Sequence, residues 1–153
     1  MNWQENILTT NDQIRELLRE TKSIAVLGIK TEAQSGQPAF YVPSYLRSAG
    51  FEIIPVPVYY PNVTQILGAD VYRKLVEIPN EVDMVNVFRR SEDVSAHLED
   101  MLAKKAKSVW MQSGISNPAV AERLAQEGIK VVQDRCLMVD HRRLLGSSGI
   151  LPG

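Results

Sequence analysis

The sequence predicts an α/β protein of the Rossmann-like, doubly wound kind, with a mostly parallel sheet and helices on both of its faces. Short apolar runs alternate with amphipathic segments along the chain, which is typical of parallel strands joined by helices. Several runs are apolar at every position, which indicates strands that are buried on both faces. Such sheets bind ligands beyond the carboxyl ends of their strands, so the loops that follow the strands are the candidates for function.

The first predicted helix and strand follow from the apolar pattern near the start of the chain. The run 23–28 is apolar up to its final glycine and predicts a buried parallel strand. Before it, a cap at Thr10 or Asn11 is followed by an amphipathic helix whose apolar face is formed by Ile14, Leu17 and Leu18.

A second helix and a second strand are predicted between residues 38 and 56. Gly50 is predicted to end the helix. Because proline is tolerated in a first turn but not in a helix interior, Pro43 moves the predicted start of the regular helix to about Tyr41. Residues 52–56 predict the strand, and residues 57–81 show no regular pattern.

Three further strands and two helices are predicted in the second half of the chain. Ser91 is predicted to cap a helix that carries carboxylates in its first turn. Residues 117–118 open the next helix with an Asn-Pro pair, and Gly128 ends it. The strands are predicted at 82–88, 108–112 and 129–132.

The length and composition are typical of one globular domain. The chain has 153 residues, 44% hydrophobic and 23% charged, so we expect a single domain over 1–153 with its core at about 8–145. One cysteine excludes an intramolecular disulfide and a cysteine-based zinc site. A net charge of −1 argues against nucleic acid or an anionic membrane as the partner. Without an apolar run of ~20 residues or a signal-peptide pattern, the sequence predicts a cytoplasmic protein.

The loop after the first strand has the residue types of a phosphate-binding turn, although its glycines lack the usual spacing. Glycine lets the backbone approach a phosphate, a helix N-terminus offers N–H groups, and Lys30 adds a positive charge. The alternative is an ordinary strand-to-helix loop without a ligand. The candidate binding residues are Gly28, Ile29, Lys30, Gly36, Gln37, Pro38 and Ala39.

The loop after the second strand lacks the carboxylate that NAD-binding domains use to bind the ribose. No Asp or Glu lies between Glu52 and Asp70. The missing carboxylate argues against NAD as the ligand, and it does not argue against other phosphorylated adenine ligands. The tyrosines at 59–60 are assigned to packing at the sheet edge rather than to stacking on a base. The candidate binding residues in this loop are Val56 and Pro57.

Arginines follow the third strand and polar residues follow the fourth. The forked guanidinium group of arginine suits phosphate oxygens, and the alternative is a salt bridge to Glu92 or Asp93. The fourth loop would touch a ligand through its backbone N–H groups, or it forms an ordinary turn. The candidate residues of the two loops are Phe88, Arg89, Arg90, Gln112, Ser113, Gly114 and Ile115.

A cysteine and a histidine lie close together in the tail. A nucleophilic cysteine needs a lowered pKa, which Arg135 or His141 would supply. Cys136 lies in a mostly apolar stretch, however, and a lone intracellular cysteine is more often a small core residue. His97 is expected to be solvated. We therefore assign no catalytic residue and no metal ligand.

These segments resemble those of a known family, the stand-alone coenzyme A-binding domain proteins. Its members are Rossmann-like and similar to the N-terminal domain of the succinyl-CoA synthetase α subunit. The resemblance covers about residues 8–145 and depends on the segments 24–28, 44–46, 54–56, 66–68, 78–83, 87–90, 109–115 and 131–137.

The resemblance implies that coenzyme A (CoA) binds across the strand ends. The loop 28–39 would face the phosphates, 56–57 and 88–89 would flank the nucleotide, and 112–115 would line the route of the pantetheine arm. Family members often carry an Asn-Pro-Lys-like stretch after the second strand, and this chain lacks that lysine. The ligase relatives use a phosphorylated histidine and grasp domains outside this unit, so the resemblance implies binding without a complete catalytic apparatus.

Four functions remain open at this point. The first is a CoA- or acyl-CoA-binding module, such as a sensor, a carrier or a partner subunit of a ligase-type protein. The second is an NAD(P)-binding redox or sensor domain, in which the two arginines after the third strand would contact a 2′-phosphate. The third is a small thiol enzyme that uses Cys136 with His141. The fourth is an interaction domain with a vestigial site, in which Trp3 and 59–60 serve a homo-oligomer interface.

Overall fold

A parallel sheet of five strands forms the centre of the structure, a computed structural model that describes residues 2–146. Residue 1 and residues 147–153 of the predicted single domain lie outside the described part. The strands of the sheet are β1 (Ser23–Leu27), β2 (Glu52–Val56), β5 (Met84–Val87), β6 (Ser108–Met111) and β7 (Lys130–Val132), in the spatial order β2-β1-β5-β6-β7. The segments β3 (Gln65–Ile66) and β4 (Ala69–Asp70) form a separate antiparallel hairpin.

Both faces of the sheet are buried, and each strand sends alternate side chains to opposite faces. In β1, Ala25 and Leu27 belong to one apolar cluster, whereas Ile24 and Val26 belong to the other. The first cluster is covered by α3 (Leu98–Lys104) and α4 (Pro118–Gln126), and the second by α1 (Asn11–Glu20), α2 (Pro38–Ser48) and α5 (Leu137–His141). The predicted doubly wound α/β fold is confirmed.

The helices within residues 2–146 are short. The longest of them, α2, has 11 residues. None in this part of the chain combines the length and the apolar character needed to cross a membrane.

Thr10, rather than Asn11, caps α1. Its hydroxyl accepts the N–H of Gln13 at 3.2 Å, and the Gln13 side chain accepts the N–H of Thr10 at 3.0 Å. This reciprocal pair satisfies two N–H groups at the start of the helix.

The predicted start of α2 near Tyr41 is wrong, because the helix begins at Pro38 and contains Pro43. A proline within a helix has no N–H to donate to the carbonyl four residues earlier, which here belongs to Ala39. That carbonyl instead accepts the N–H of Lys30 at 3.1 Å. Pro43 is therefore tolerated, and the acceptor that it leaves free attaches the loop after β1 to the helix.

The prediction that Ser91 caps a helix is also wrong. Residues Ser91–His97 form a 3₁₀ segment, and α3 begins only at Leu98. The Ser91 hydroxyl accepts the N–H of Ser116 at 3.0 Å and thereby joins the loop after β5 to the loop after β6.

The tail contains a helix that the sequence analysis did not predict. After α5, residues Arg142–Gly146 continue as a π-helical turn. Asp140 is only 4% exposed, and its carboxylate accepts hydrogen bonds from Arg135 at 2.6 Å and Arg143 at 3.1 Å. This network holds the tail against the domain. It also pairs the positive charge of Arg135 with the Asp140 carboxylate.

Candidate functional site

The loops after β1, β2 and β5 converge where the strand order of the sheet reverses. The chain places β2 on one side of β1 and the later strands on the other. The N–H of Gly28 donates to the Val56 carbonyl at 2.9 Å, and the N–H of Phe88 donates to the Leu27 carbonyl at 2.9 Å. This is the position at which open α/β sheets bind ligands, so the structure brings together the loops that the sequence analysis selected.

Gly28 lies at the closest approach of two of these loops. Its φ of +89° is in the region that favours glycine, and a Cβ placed there would lie 2.5 Å from the carbonyl oxygen of Phe88. No side chain fits between these two backbones. The glycine therefore allows the loops after β1 and β5 to meet over the strand ends.

The first turn of α2 faces the same edge of the sheet and has no side-chain cap. Gln37, which precedes the helix, makes no capping hydrogen bond, and its side-chain oxygen instead accepts a hydrogen bond from Lys30 Nζ at 2.6 Å. Pro38 has no N–H to satisfy. A helix of 11 residues with an uncapped first turn and a lysine beside it presents partial and full positive charge to an anion.

Arg89 connects the loops after β2 and β5 through its side chain, which is 16% exposed. Its Nε donates to Nε2 of His97 at 3.2 Å, and its Nη1 donates to the Tyr59 hydroxyl at 3.4 Å. The guanidinium carbon lies 5.5 Å from the centre of the Tyr59 ring. The hydrogen bond and the charge of Arg89 lower the pKa of Tyr59.

Arg90 is mostly exposed and lies beside two carboxylates. Its Nε is 3.0 Å from Asp93 and its Nη1 is 3.6 Å from Glu92, and the hydrogen bond to Asp93 raises its pKa. The salt bridges that the sequence analysis gave as the alternative to phosphate binding are therefore present. They are exposed contacts that a stronger anion can replace.

His97 is half-buried, so the expectation of a solvated side chain is wrong. The 3₁₀ segment turns its ring towards Arg89 instead of towards water. Burial lowers the pKa of His97, and the positive charge of Arg89 lowers it further. Because Nε2 accepts a hydrogen bond from Nε of Arg89, the His97 ring is neutral in this cluster.

The depressed pKa values of the two histidines predict acid-sensitive stability. Burial also lowers the pKa of His141. Below about pH 6.5 the unfolded chain binds protons that the folded protein does not. The contribution of the two neutral histidines to the free energy of unfolding is therefore complete above this pH and is lost as the pH falls. We expect the melting temperature to decrease between about pH 7 and pH 5, and to decrease less in His97→Gln and His141→Gln. A melting temperature that is constant over this range in the unmodified protein would contradict the assignment.

A cleft of about 570 Å³ lies beside Arg89 and His97, on the side of the sheet that α3 covers. Its volume is within the roughly 300–1,000 Å³ of small-molecule sites. Leu27 at the end of β1, Pro57 and Val58 after β2, and His97 after β5 belong to its lining, so the cleft lies at the carboxyl ends of the strands. The remaining lining residues are Arg73, Lys74, Val76, Ala96, Glu99, Asp100 and Ala103.

The sequence analysis missed Lys74 as a candidate. It lies in the irregular stretch between β4 and β5, where no hydrophobic period shows which loop it approaches. The structure places it in the lining of the cleft, together with Pro57 and Val58 of the loop after β2. A basic residue in an unassigned stretch was the only available signal.

Several predicted residues contribute backbone rather than side chains to the strand ends. The side chains of Ile29, Ala39 and Val56 are buried in the apolar clusters or beneath the loops. Gln112 is 4% exposed, and its side-chain oxygen accepts hydrogen bonds from the Asn86 amide at 3.2 Å and from the N–H of Leu137 at 3.3 Å. Its side-chain amide therefore connects β5 and α5 beneath the strand-end loops.

The loop after β6 uses most of its backbone N–H groups within the protein. The N–H of Gly114 donates to Asp134 at 2.7 Å, and that of Ile115 donates to the Gln112 carbonyl at 2.8 Å. Ser113 is exposed and makes no such contact among residues 2–146. Gly36 is also exposed, with open space where a Cβ would lie. These two positions, like the other candidate residues, remain predictions as ligand contacts.

Cys136 and His141 do not form a pair in the structure. Nδ1 of His141 lies 2.8 Å from the Tyr45 hydroxyl, and its ring packs edge-on against Phe51 at 5.3 Å. Cys136 is partly buried against the apolar cluster that includes α5. Within the described part of the chain, no three His, Cys, Asp or Glu side chains lie together as a metal site would require.

Comparison with known families identifies the chain. Residues 22–142 match the sequence model of the CoA binding domain family. The chain belongs to this family. The resemblance found in the sequence is thus confirmed, and the family supports CoA binding as the general function.

Relatives of similar length share both sequence and fold with this CoA-binding domain protein. It is 35% identical to the uncharacterized protein YneT of Bacillus subtilis over 129 residues, which cover 84% of this chain and 92% of YneT. A Thermus thermophilus structure, cell-free ID.343, is 37% identical with a TM-score of 0.81, over 90% of this chain and 100% of that one. A hypothetical protein from Pyrococcus horikoshii OT3 is 30% identical with a TM-score of 0.80, over 90% and 94%.

A larger enzyme shares the fold alone. The dinucleotide forming acetyl-coenzyme A synthetase 1 of Ca. Korarchaeum cryptofilum is 20% identical with a TM-score of 0.62. The match covers 80% of this chain but 27% of the synthetase.

Proposed function

We propose that this protein binds CoA, or an acyl-CoA, across the carboxyl ends of its strands. The observation that carries the proposal is the cleft beside Arg89, which is lined by the end of β1, the loop after β2 and the 3₁₀ segment after β5. In a member of the CoA binding domain family, this cleft is the natural position for the adenosine part of the ligand. Six apolar and five ionisable residues line the cleft, a mixture that suits a ligand with an adenine ring and phosphate groups.

The pyrophosphate is assigned to the edge between Gly28 and the start of α2. The absence of a side chain at Gly28 allows close approach, and Lys30 supplies a charge beside the uncapped helix. Arg89 and Arg90 add two guanidinium groups from the other side of the strand reversal. A chain with a net charge of −1 thus offers a locally positive site to a small anion.

The pantetheine arm is assigned to the loop after β6, with Gln112, Ser113, Gly114 and Ile115 along its route. Ser91 attaches this loop to the arginine-bearing loop through its hydroxyl, 3.0 Å from the N–H of Ser116. The loops after β5 and β6 therefore form one continuous surface, along which the ligand would extend from its phosphates to its pantetheine arm.

NAD(P) is the competing ligand for this site. The loop after β2 carries no carboxylate for a ribose hydroxyl, which favours CoA over NAD. Arg89 and Arg90 would suit the 2′-phosphate of NADP as well as a phosphate of CoA, so the two ligands need a direct comparison.

We further propose that the protein is a single-domain binding module that acts in the cytoplasm without a complete catalytic apparatus. In support, His141 is bonded to Tyr45, and Arg135 to the buried Asp140, so neither is available to activate Cys136. A module of this kind would deliver or sense its ligand, and a ligase-type protein or a second copy of the chain would be its partner.

A thermal-shift comparison tests the proposed ligand. At a CoA concentration of about 100 times Kd, binding to the folded state alone contributes about 2.7 kcal/mol, which corresponds to an increase of roughly 5–10 °C in melting temperature. The shift should grow with the logarithm of CoA concentration, and NADPH at equal concentration should produce less. No shift with folded protein at millimolar CoA would reject the proposal, and a larger shift with NADPH would select the alternative.

A further inference from the structure

The strand-end cleft contains a lysine that the fold itself does not use. Lys74 is exposed, and its ammonium group makes no hydrogen bond or ion pair among residues 2–146. It is placed on the wall of the cleft by the residues on either side. Arg73 precedes it, and Leu75, fully buried, follows it.

The neighbouring charges of the cleft are occupied in holding the structure together. The Arg73 guanidinium donates to the backbone carbonyls of Tyr59, Tyr60 and Val63 at 2.8–3.0 Å. The Asp100 carboxylate accepts the backbone N–H groups of residues 75 and 76 at 2.7 and 3.1 Å. These contacts fix both sides of the cleft and leave Lys74 as its unpaired cation.

The position of this lysine agrees with the geometry of nucleotide sites in Rossmann-like folds. There the ribose hydroxyls face the loop after the second strand. A carboxylate in this loop binds a free ribose hydroxyl, and a basic residue binds a phosphate on the ribose. Pro57 and Val58 form this side of the cleft and carry no charge. A cation for a phosphate on the ribose therefore has to come from another part of the cleft lining, which includes Lys74.

We propose that Lys74 binds the 3′-phosphate of CoA and makes the site selective for CoA over dephospho-CoA, which lacks that phosphate. This rests on the proposed CoA-binding function. Lys74 supplies the charge that the loop after β2 lacks, from a different part of the chain. Glu99 also lines the cleft and has no partner among the described residues. Its negative charge repels the same phosphate and weakens CoA binding.

Calorimetric titration of both nucleotides with matched variants tests this assignment. For the unmodified protein we expect CoA to bind about ten times more tightly than dephospho-CoA, the usual size of one charge-assisted contact. Lys74→Gln keeps a polar side chain of similar size and removes its charge. Its affinity for CoA should fall about tenfold, whereas its affinity for dephospho-CoA should stay within about twofold of that of the unmodified protein. Lys74→Arg should restore the preference, and Glu99→Gln should increase it.

Lys130→Gln is the control for a general loss of positive charge. Lys130 is also exposed and lies at the start of β7, at the opposite end of the sheet. It should change neither affinity. Equal binding of the two nucleotides by the unmodified protein, or an equal loss of both in Lys74→Gln, would overturn the role of Lys74 while leaving CoA binding in place. Failure of both nucleotides to bind would instead reject the proposed function.

Discussion

Replacing Gly28 with alanine is expected to destabilise the protein by about 3 kcal/mol, because a residue with a Cβ at this φ is strained and also meets a neighbouring backbone. The Cβ would lie 2.5 Å from the Phe88 carbonyl oxygen, which belongs to the start of the next loop and cannot rotate away as a side chain would. The melting temperature should fall by roughly 6–12 °C. Calorimetry or circular dichroism with thermal unfolding measures this directly.

Gly36→Ala is the matched control for this substitution. Gly36 lies in the same loop, and no heavy atom lies within 4 Å of the position that its Cβ would take. Its melting temperature should stay close to that of the unmodified protein. If both variants unfold at the same temperature, the close approach of the loops after β1 and β5 is not as the structure has it.

Replacing Arg89 and Arg90 together with alanine is expected to weaken CoA binding by about 100-fold, since two charge-assisted contacts to phosphate are lost. Arg89→Ala should account for most of the loss. Its side chain is the more buried and touches both Tyr59 and His97 at the cleft, whereas Arg90 is largely solvated. Calorimetric titration of each variant with CoA measures the contributions.

Arg123→Ala controls for the removal of an arginine from the surface. Arg123 lies on α4 and pairs with Glu127 at 3.9 Å, away from the strand ends. It should bind CoA as the unmodified protein does. The double variant must also remain folded, which its circular dichroism spectrum shows. Unchanged CoA affinity in a folded double variant would remove the arginines from the proposed site.

The parallel strands of this protein were predictable because burial on both faces leaves a strong record in the sequence. Each of β1, β2, β5, β6 and β7 lies within a predicted run, and the two ends differ by at most a few residues. The grouping of the strand-end loops then followed from topology alone. This is why the sequence could place the candidate loops together at one edge of the sheet.

The errors in the prediction arose where a distant contact replaces a local one. Pro43 is tolerated in α2 because Lys30, in the preceding loop, satisfies the carbonyl that the proline leaves free. Ser91 fails as a cap because its hydroxyl is bonded to the loop after β6. Neither partner can be identified from the residues next to the proline or the serine.

The side chains of the cleft were the hardest part of the site to predict. His97 and Lys74 come from two segments without a regular period, a 3₁₀ segment and the stretch before β5. Only the folded chain shows that both line the space beside Arg89. Conversely, Val56 and Ile29 were predicted to contact the ligand, yet their side chains are buried and only their backbones reach the edge.

Hydrogen exchange with and without CoA tests the central claim most directly, because it locates the bound ligand on the chain. We predict that CoA slows amide exchange in the loops 28–39, 57–60, 88–97 and 112–115 and in the stretch 73–76, at the strand ends. The opposite end of the sheet, around Phe51 and Lys130, should exchange as before. Protection confined to that opposite end, or no change at saturating CoA, would contradict the account.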